Sequence, residues 1–198
     1  MAYPRLLLLC IVTAWLVLFP GCLPSKMVIN WQYRPETYPT PILPPGEILT
    51  LCIEAVGGVD GFEWIKTDKY SWRLDRRPAH IVREVLERDL PLMAIEVKGT
   101  CEDVRGRLRV SVRWFGPYGN SPVSAAVILA MTLFEANGDI PVWHGKIEGG
   151  VLPAPMPFGK RNIERAISKA INQALSKVMS RLRWNGEFCQ AVRLLAGR

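Results

Sequence analysis

The stretch RLRVSVRWF, residues 107–115, decides the fold. Leu108, Val110, Val112 and Trp114 alternate with Arg107, Arg109, Ser111 and Arg113. Successive side chains of a strand point to opposite faces, so this segment reads as a strand with one apolar and one basic side. A sheet with one wet face is characteristically antiparallel and needs helices over the other face only.

The neighbouring sequence supplies both. Residues 123–150 carry two more strands, with Asn137-Gly138 as the hairpin turn between them. ILTLCIEAV, 48–56, is apolar on both faces and reads as a central strand. FEWIKTDKYSWRL, 62–74, has the alternation of a hairpin, and LMAIEVKG, 92–99, holds a further strand. Pro78 opens a helix in which Ile81, Val82, Val85 and Leu86 form one stripe. Arg83, Glu84, Glu87, Arg88 and Asp89 are expected on its solvated side. RNIERAISKAINQALSKVMSRLRW, 161–184, keeps apolar residues at helical spacing for about five turns and ends at Asn185-Gly186. The expected fold class is α+β: a mostly antiparallel sheet of about four to five strands with two amphipathic helices packed on one face. Residues 48–184 form one domain in this reading. Residues 185–198 form a C-terminal tail that either packs back as a short helix or docks a partner.

The N-terminus has a different grammar. After MAYPR, residues 6–19 carry no charge, which is a length of about 14 and short of the roughly 20 needed to span a bilayer. Pro20, Gly21 and Cys22 follow. This resembles a bacterial lipoprotein signal peptide, with Gly21 at the last position before the cut and Leu18 one place earlier than the usual leucine. The resemblance implies cleavage after residue 21, diacylglycerol on the Cys22 thiol and a further acyl chain, such as palmitate, on the new amine. Two or three chains anchor a protein stably without a spanning helix. Leu23 stands where an aspartate would signal inner-membrane retention, so the implied location is the outer membrane, on its periplasmic face. Pro35, Pro39, Pro41, Pro44 and Pro45 mark residues 22–47 as a lipid-anchored, extended tether.

Removing residues 1–21 leaves 177 residues, enough for one domain with a sizeable core. With 25 Lys+Arg against 18 Asp+Glu, the chain suits anionic headgroups or an acidic partner, though a solvated basic surface is the plainer account. Nucleic acid is not expected in that compartment. Three cysteines remain besides Cys22 once Cys10 leaves with the signal. Cys52 with Cys101 is the preferred pairing, because both fall on or beside strands of one sheet; buried free thiols are the alternative. No Cys or His spacing suggests a metal, and no GxSxG, HExxH, phosphate-binding loop or dinucleotide fingerprint suggests an enzyme or a cofactor. His80 and His144 stand alone. Candidate partner-binding features are the face of Arg107, Arg109 and Arg113 and the aromatics Trp64, Tyr70 and Trp72.

KYSWRLDRRPAHIVREVLERDL, 69–90, resembles a stretch of the ABC-type transport auxiliary lipoproteins. There an aromatic and a tryptophan precede a proline and a helix with regularly spaced leucine-like residues; here these are Tyr70, Trp72, Pro78, Val82, Leu86 and Leu90. YajG-like envelope lipoproteins and penicillin-binding protein activators are also similar. The resemblance implies a non-enzymatic accessory of an envelope lipid-transport complex, working with MCE-domain proteins and a permease. It implies Cys22 as the anchor, with the exposed sheet face or the final helix meeting the partner. Two alternatives stay open: an assembly or regulatory lipoprotein of a secretion, pilus, flagellar or cell-wall machine, and a binder of anionic envelope lipid through Arg107, Arg109 and Arg113. The oligomeric state is open.

Overall fold

A computed structural model describes residues 25–29, 31–35, 39–58, 65–66, 70–117, 124–151 and 159–197. In chain order the elements are β1 Ser25–Ile29, β2 Leu49–Gly58, β3 Ile65–Lys66, β4 Tyr70–Leu74, α1 Pro78–Asp89, a 3-10 turn Pro91–Met93, β5 Ile95–Lys98, β6 Gly106–Gly116, β7 Ala125–Glu135, β8 Pro141–Val151, α2 Lys160–Trp184 and α3 Gly186–Ala196. The fold is α+β.

The main sheet has five strands in the order β5-β2-β6-β7-β8. Strands β6, β7 and β8 form an antiparallel meander, as their alternation and the Asn137-Gly138 turn require. β2 differs: it lies between β5 and β6 and runs parallel to both. The sheet is therefore mixed rather than mostly antiparallel. Parallel strands tend to read as near-continuous apolar runs, and Leu49, Leu51, Cys52 and Ile53 are all buried.

One face of this sheet holds the core. Leu108, Val110, Val112 and Phe115 of β6 oppose Leu133, Met131, Leu129 and Val127 of β7, and all are buried. The alternation does not run through to Trp114. Register moves from Val112 opposite Leu129 to Trp114 opposite Ile128, which leaves Arg113 as an extra residue. Such a bulge reverses the phase of the residues beyond it. Phe115 is consequently buried at 1% exposure, while Trp114 is 40% exposed and outside the core.

α1 packs over β2 and β6, and α2 over β7 and β8. Ile167, Ile171, Ala174, Leu175 and Val178 of α2 are buried there. Gly149 of β8 allows the close approach: a Cβ at this position would run into the Ala174 carbonyl.

The ends of the chain belong to the domain. Asn185 caps α3 by accepting a hydrogen bond from the Phe188 N–H at 2.8 Å. Phe188, Val192 and Leu195 are buried, and Phe188 meets Trp143 edge-on with ring centres 4.9 Å apart. Gly186–Ala196 is thus a third packed helix, the first of the two alternatives expected for this end of the chain. At the other end, β1 runs parallel to β4, and β4 antiparallel to β3, in a separate three-stranded sheet. Trp31, Tyr33, Ile42 and Leu43 are buried in the core cluster. The Ile42 N–H donates to the Met93 carbonyl at 3.0 Å, and Arg183 donates to the Thr40 and Pro41 carbonyls, each at 2.6 Å. This segment lies along the domain, bending at Ile42 and Leu43 and turning at Pro45-Gly46, where the Glu47 N–H donates to the Pro44 carbonyl at 3.1 Å. The expected tether 22–47 is thus packed on the domain at Ile29, Trp31, Tyr33, Ile42 and Leu43 and does not act as a spacer there.

Candidate binding surfaces

The arginines of β6 lie on the sheet face away from the core, and carboxylates have already engaged two of them. Glu54 is the extra residue of a second bulge, between Ile53 and Ala55 of β2. Its Oε1 lies 3.0 Å from Arg109 and 3.4 Å from Arg107. Arg107 also donates to the Gly138 carbonyl at 2.6 Å and lies 3.5 Å from Asp139. Both guanidinium groups sit over the Phe134 ring, 5.6 and 5.2 Å from its centre. Arg113 is exposed at its bulge, out of step with the other two. The row is therefore a pair built around Glu54, whose charge and that of Asp139 offset the attraction for phosphate, plus one separate arginine.

The other sequence candidates divide by position. Cys22 and Trp64 lie outside the described residues. Tyr70 and Trp72 are described by backbone: Tyr70 pairs with Ser25, and Trp72 with both Met27 and Ile65. Cys52 and Cys101 are joined by a disulfide, with Cα atoms 5.1 Å apart and a sequence separation of 49. Closing a loop of that length constrains the unfolded chain by about 4 kcal/mol in the chain-entropy account. Cys189 is a buried free thiol whose Sγ donates to the Arg183 carbonyl at 3.1 Å.

Two basic clefts flank β1 and meet at Val28, which is 50% exposed. One, of about 700 Å³, lies at the start of α1 and is lined by Arg73, Arg76, Arg77 and His80. Arg76 is committed there: it pairs with Glu84, donates to the Trp31 carbonyl at 2.8 Å and lies over the Trp31 ring. The other cleft, of about 770 Å³, runs along the first half of α2, with Arg34 on one side and Arg161, Arg165 and Lys169 on the other. Asn172 ties its walls together. Its Oδ1 accepts from the Arg34 N–H at 3.3 Å, and its Nδ2 donates to the Gln32 carbonyl at 3.2 Å. The four-residue spacing of Arg161, Arg165 and Lys169 places them on one helical stripe, a signal present in the sequence.

A buried polar node joins the N-terminal segment to both long helices. The Tyr33 hydroxyl donates to Asp89 Oδ2 at 2.6 Å, and Ser176 of α2 hydrogen-bonds the Tyr33 oxygen. Arg88 donates to the Tyr33 carbonyl at 3.0 Å and lies over its ring. Asp89 is fully buried, which corrects its expected place on the solvated side of α1. It follows Val85 by four residues and Leu86 by three, so it shares the apolar stripe. Burial pushes its carboxyl above the usual carboxylate range, against the opposing pull of the Tyr33 hydrogen bond and the Arg88 charge. Burial, and then the Asp89 carboxylate, raise the Tyr33 phenol as well. This arrangement fastens the chain and does not open onto any described cleft.

Among the described residues, no group of three His, Cys, Asp or Glu side chains is arranged to hold a metal ion, and no helix is long and apolar enough to cross a membrane. The fold is shared with a Xanthomonas campestris protein of the DUF330 family model, at TM-score 0.58 and 14% identity, over 88% of this chain and 99% of that one. Weaker likenesses are to a hypothetical protein from Chlamydia trachomatis (TM-score 0.45, 8% identity, 76% of this chain and 99% of that one) and to a candidate lipoprotein from Caulobacter crescentus (TM-score 0.40, 16% identity, 62% and 86%). No family model and no curated protein matches the sequence.

Proposed function

We propose that the protein is a lipid-anchored lipoprotein of the bacterial envelope, on the periplasmic face of the outer membrane. In this reading it serves, without catalysis of its own, as an accessory of an MCE/ABC-type lipid-transport complex. The observation that carries the proposal is the junction at Cys22. An apolar run too short to span a bilayer ends on Pro20-Gly21-Cys22, and by Ser25 the chain is already in strand β1. The Cys52–Cys101 bond supports it, because such bonds persist in exported compartments. The lipid-transport part rests on the resemblance of residues 69–90, of which Tyr70–Leu74 form β4 and Pro78–Asp89 form α1.

The test is affinity capture of the tagged full-length chain from detergent-extracted native membranes, with mass spectrometry of the proteins that accompany it. MCE or permease subunits are the expected companions. Secretion, pilus, flagellar or cell-wall proteins in their place would replace the lipid-transport reading with an assembly role. Metabolic labelling with an alkyne palmitate tests the anchor in parallel: wild type should take the label and Cys22→Ser should not.

A further inference from the structure

The anchor has almost no slack. Successive Cα atoms span at most about 3.6 Å each, so Cys22 lies within about 11 Å of Ser25 and about 22 Å of Val28. A spacer running to residue 47 would let the domain stand well clear of the bilayer. A strand starting at Ser25 does not. With Cys22 acylated as proposed above, the surroundings of β1 would lie at the membrane surface.

Those surroundings are basic. Arg34, Arg161, Arg165 and Lys169 line one cleft, Arg73 and Arg77 line the other, and all six are exposed. The acidic side chains lining the two clefts are Asp75 and Glu164. Val28, half-exposed at the meeting point, puts one apolar side chain in the middle of this patch. The open face of the main sheet contrasts with it, since Glu54 and Asp139 offset Arg107 and Arg109 there.

We infer that the two clefts around β1 form a membrane-docking surface that seats the domain on anionic phospholipid headgroups and so fixes its orientation. The inference rests on the Cys22 anchor proposed above. Each basic residue near an anionic leaflet contributes a factor of about five to docking, so reversing three of them removes a factor on the order of a hundred or more. The attraction should also fade with salt, because the clefts are open to solvent.

Hydrogen exchange read by mass spectrometry on the full-length chain in nanodiscs tests this. One set is pure phosphatidylcholine and the other contains phosphatidylglycerol. Amides of residues 25–35 and 73–80 should exchange more slowly on the anionic discs, and those of β7 and β8 should not differ. The difference should vanish in the combined Arg161→Glu, Arg165→Glu, Lys169→Glu variant and persist in Arg107→Glu, Arg109→Glu, Arg113→Glu. Should the first variant fail to fold, wild type at about 0.5 M salt serves instead, where screening shortens to a few ångströms and the difference should collapse. Equal exchange on both discs, or protection confined to the β6–β8 face, would overturn the surface. Palmitate labelling of the same preparation separates the two readings. Labelled Cys22 with equal exchange removes the surface and keeps the anchor. Unlabelled Cys22 with protection on anionic discs removes the anchor and keeps the surface.

Discussion

Residues 25–47 and residues 160–184 enter the same core by opposite means. The long helix is regular: one apolar stripe repeats along it, and Ile163, Ile167, Ile171, Leu175 and Leu182 are all buried. The N-terminal segment has no period. It is held by single, unlike contacts: Trp31 in the core, Tyr33 on Asp89, Ile42 on Met93, and two carbonyls under Arg183. Repetition makes the helix recognisable, yet Trp31, Tyr33, Ile42 and Leu43 of the irregular segment are buried as deeply. Periodicity reports how an element is built; it does not report how much the fold depends on it.

The largest effect should come from removing the segment. A chain beginning at Ile48 should lose its cooperative thermal transition and its near-ultraviolet circular dichroism, because several fully buried side chains exceed a typical stability of about 5–15 kcal/mol. Unchanged melting would restore the spacer reading and break the comparison. Single substitutions sharpen it. Trp31→Ala should cost about 3–5 kcal/mol and Ile171→Ala about 2–5 in urea unfolding, equal within error although one residue lies in a patternless stretch and the other in a helix. A Trp31→Ala cost below about half a kcal/mol would put the segment on the periphery.

The Tyr33–Asp89 node comes next. Tyr33→Phe leaves a buried carboxylate without its donor and should cost about 1–3 kcal/mol, whereas Asp89→Asn keeps an acceptor, loses the buried charge and should cost less. The two also differ in pH dependence. Asp89 is raised from 3.8, so its contribution is complete below that value and fades as pH rises through the folded one. Asp89→Asn should therefore flatten the stability profile on the acid side. Tyr33 is raised from 10.0, so its contribution holds below that pH and is lost above it, a loss that Tyr33→Phe should abolish. Denaturant midpoints measured from about pH 4 to about pH 11 would show either slope. Asn185→Ala is the smallest change, about 1 kcal/mol from the lost cap of α3.

The sequence made the meander, both long helices and the α+β class readable, because each is encoded within its own span. Three things escaped it. The parallel placement of β2 depends on strands far along the chain. The bulge at Arg113 is one extra residue inside a pattern that stays alternating on paper. The charge of Asp89 points to water, although its position follows Val85 and Leu86 onto the apolar stripe. The candidate surface was half-legible. Arg161, Arg165 and Lys169 are aligned by helical spacing alone, whereas Arg34, Arg73 and Arg77 join them only once β1 pairs with β4.

The position of β2 also orders events in time. Its partners arrive late: Leu49 waits for Ile95 and Leu51 for Gly106, while the meander pairs Gly116 with Ala126 across a short connection. Closing distant segments is slow, and β2 must both join the free edge of β6 and bring in β5, whose strand partner among the described residues is β2. Until it arrives, β6 offers an unpaired edge to any other extended chain. Substitutions in β2 should therefore mainly speed unfolding, and those in β6 and β7 should mainly slow refolding, a division visible in the two arms of a chevron plot.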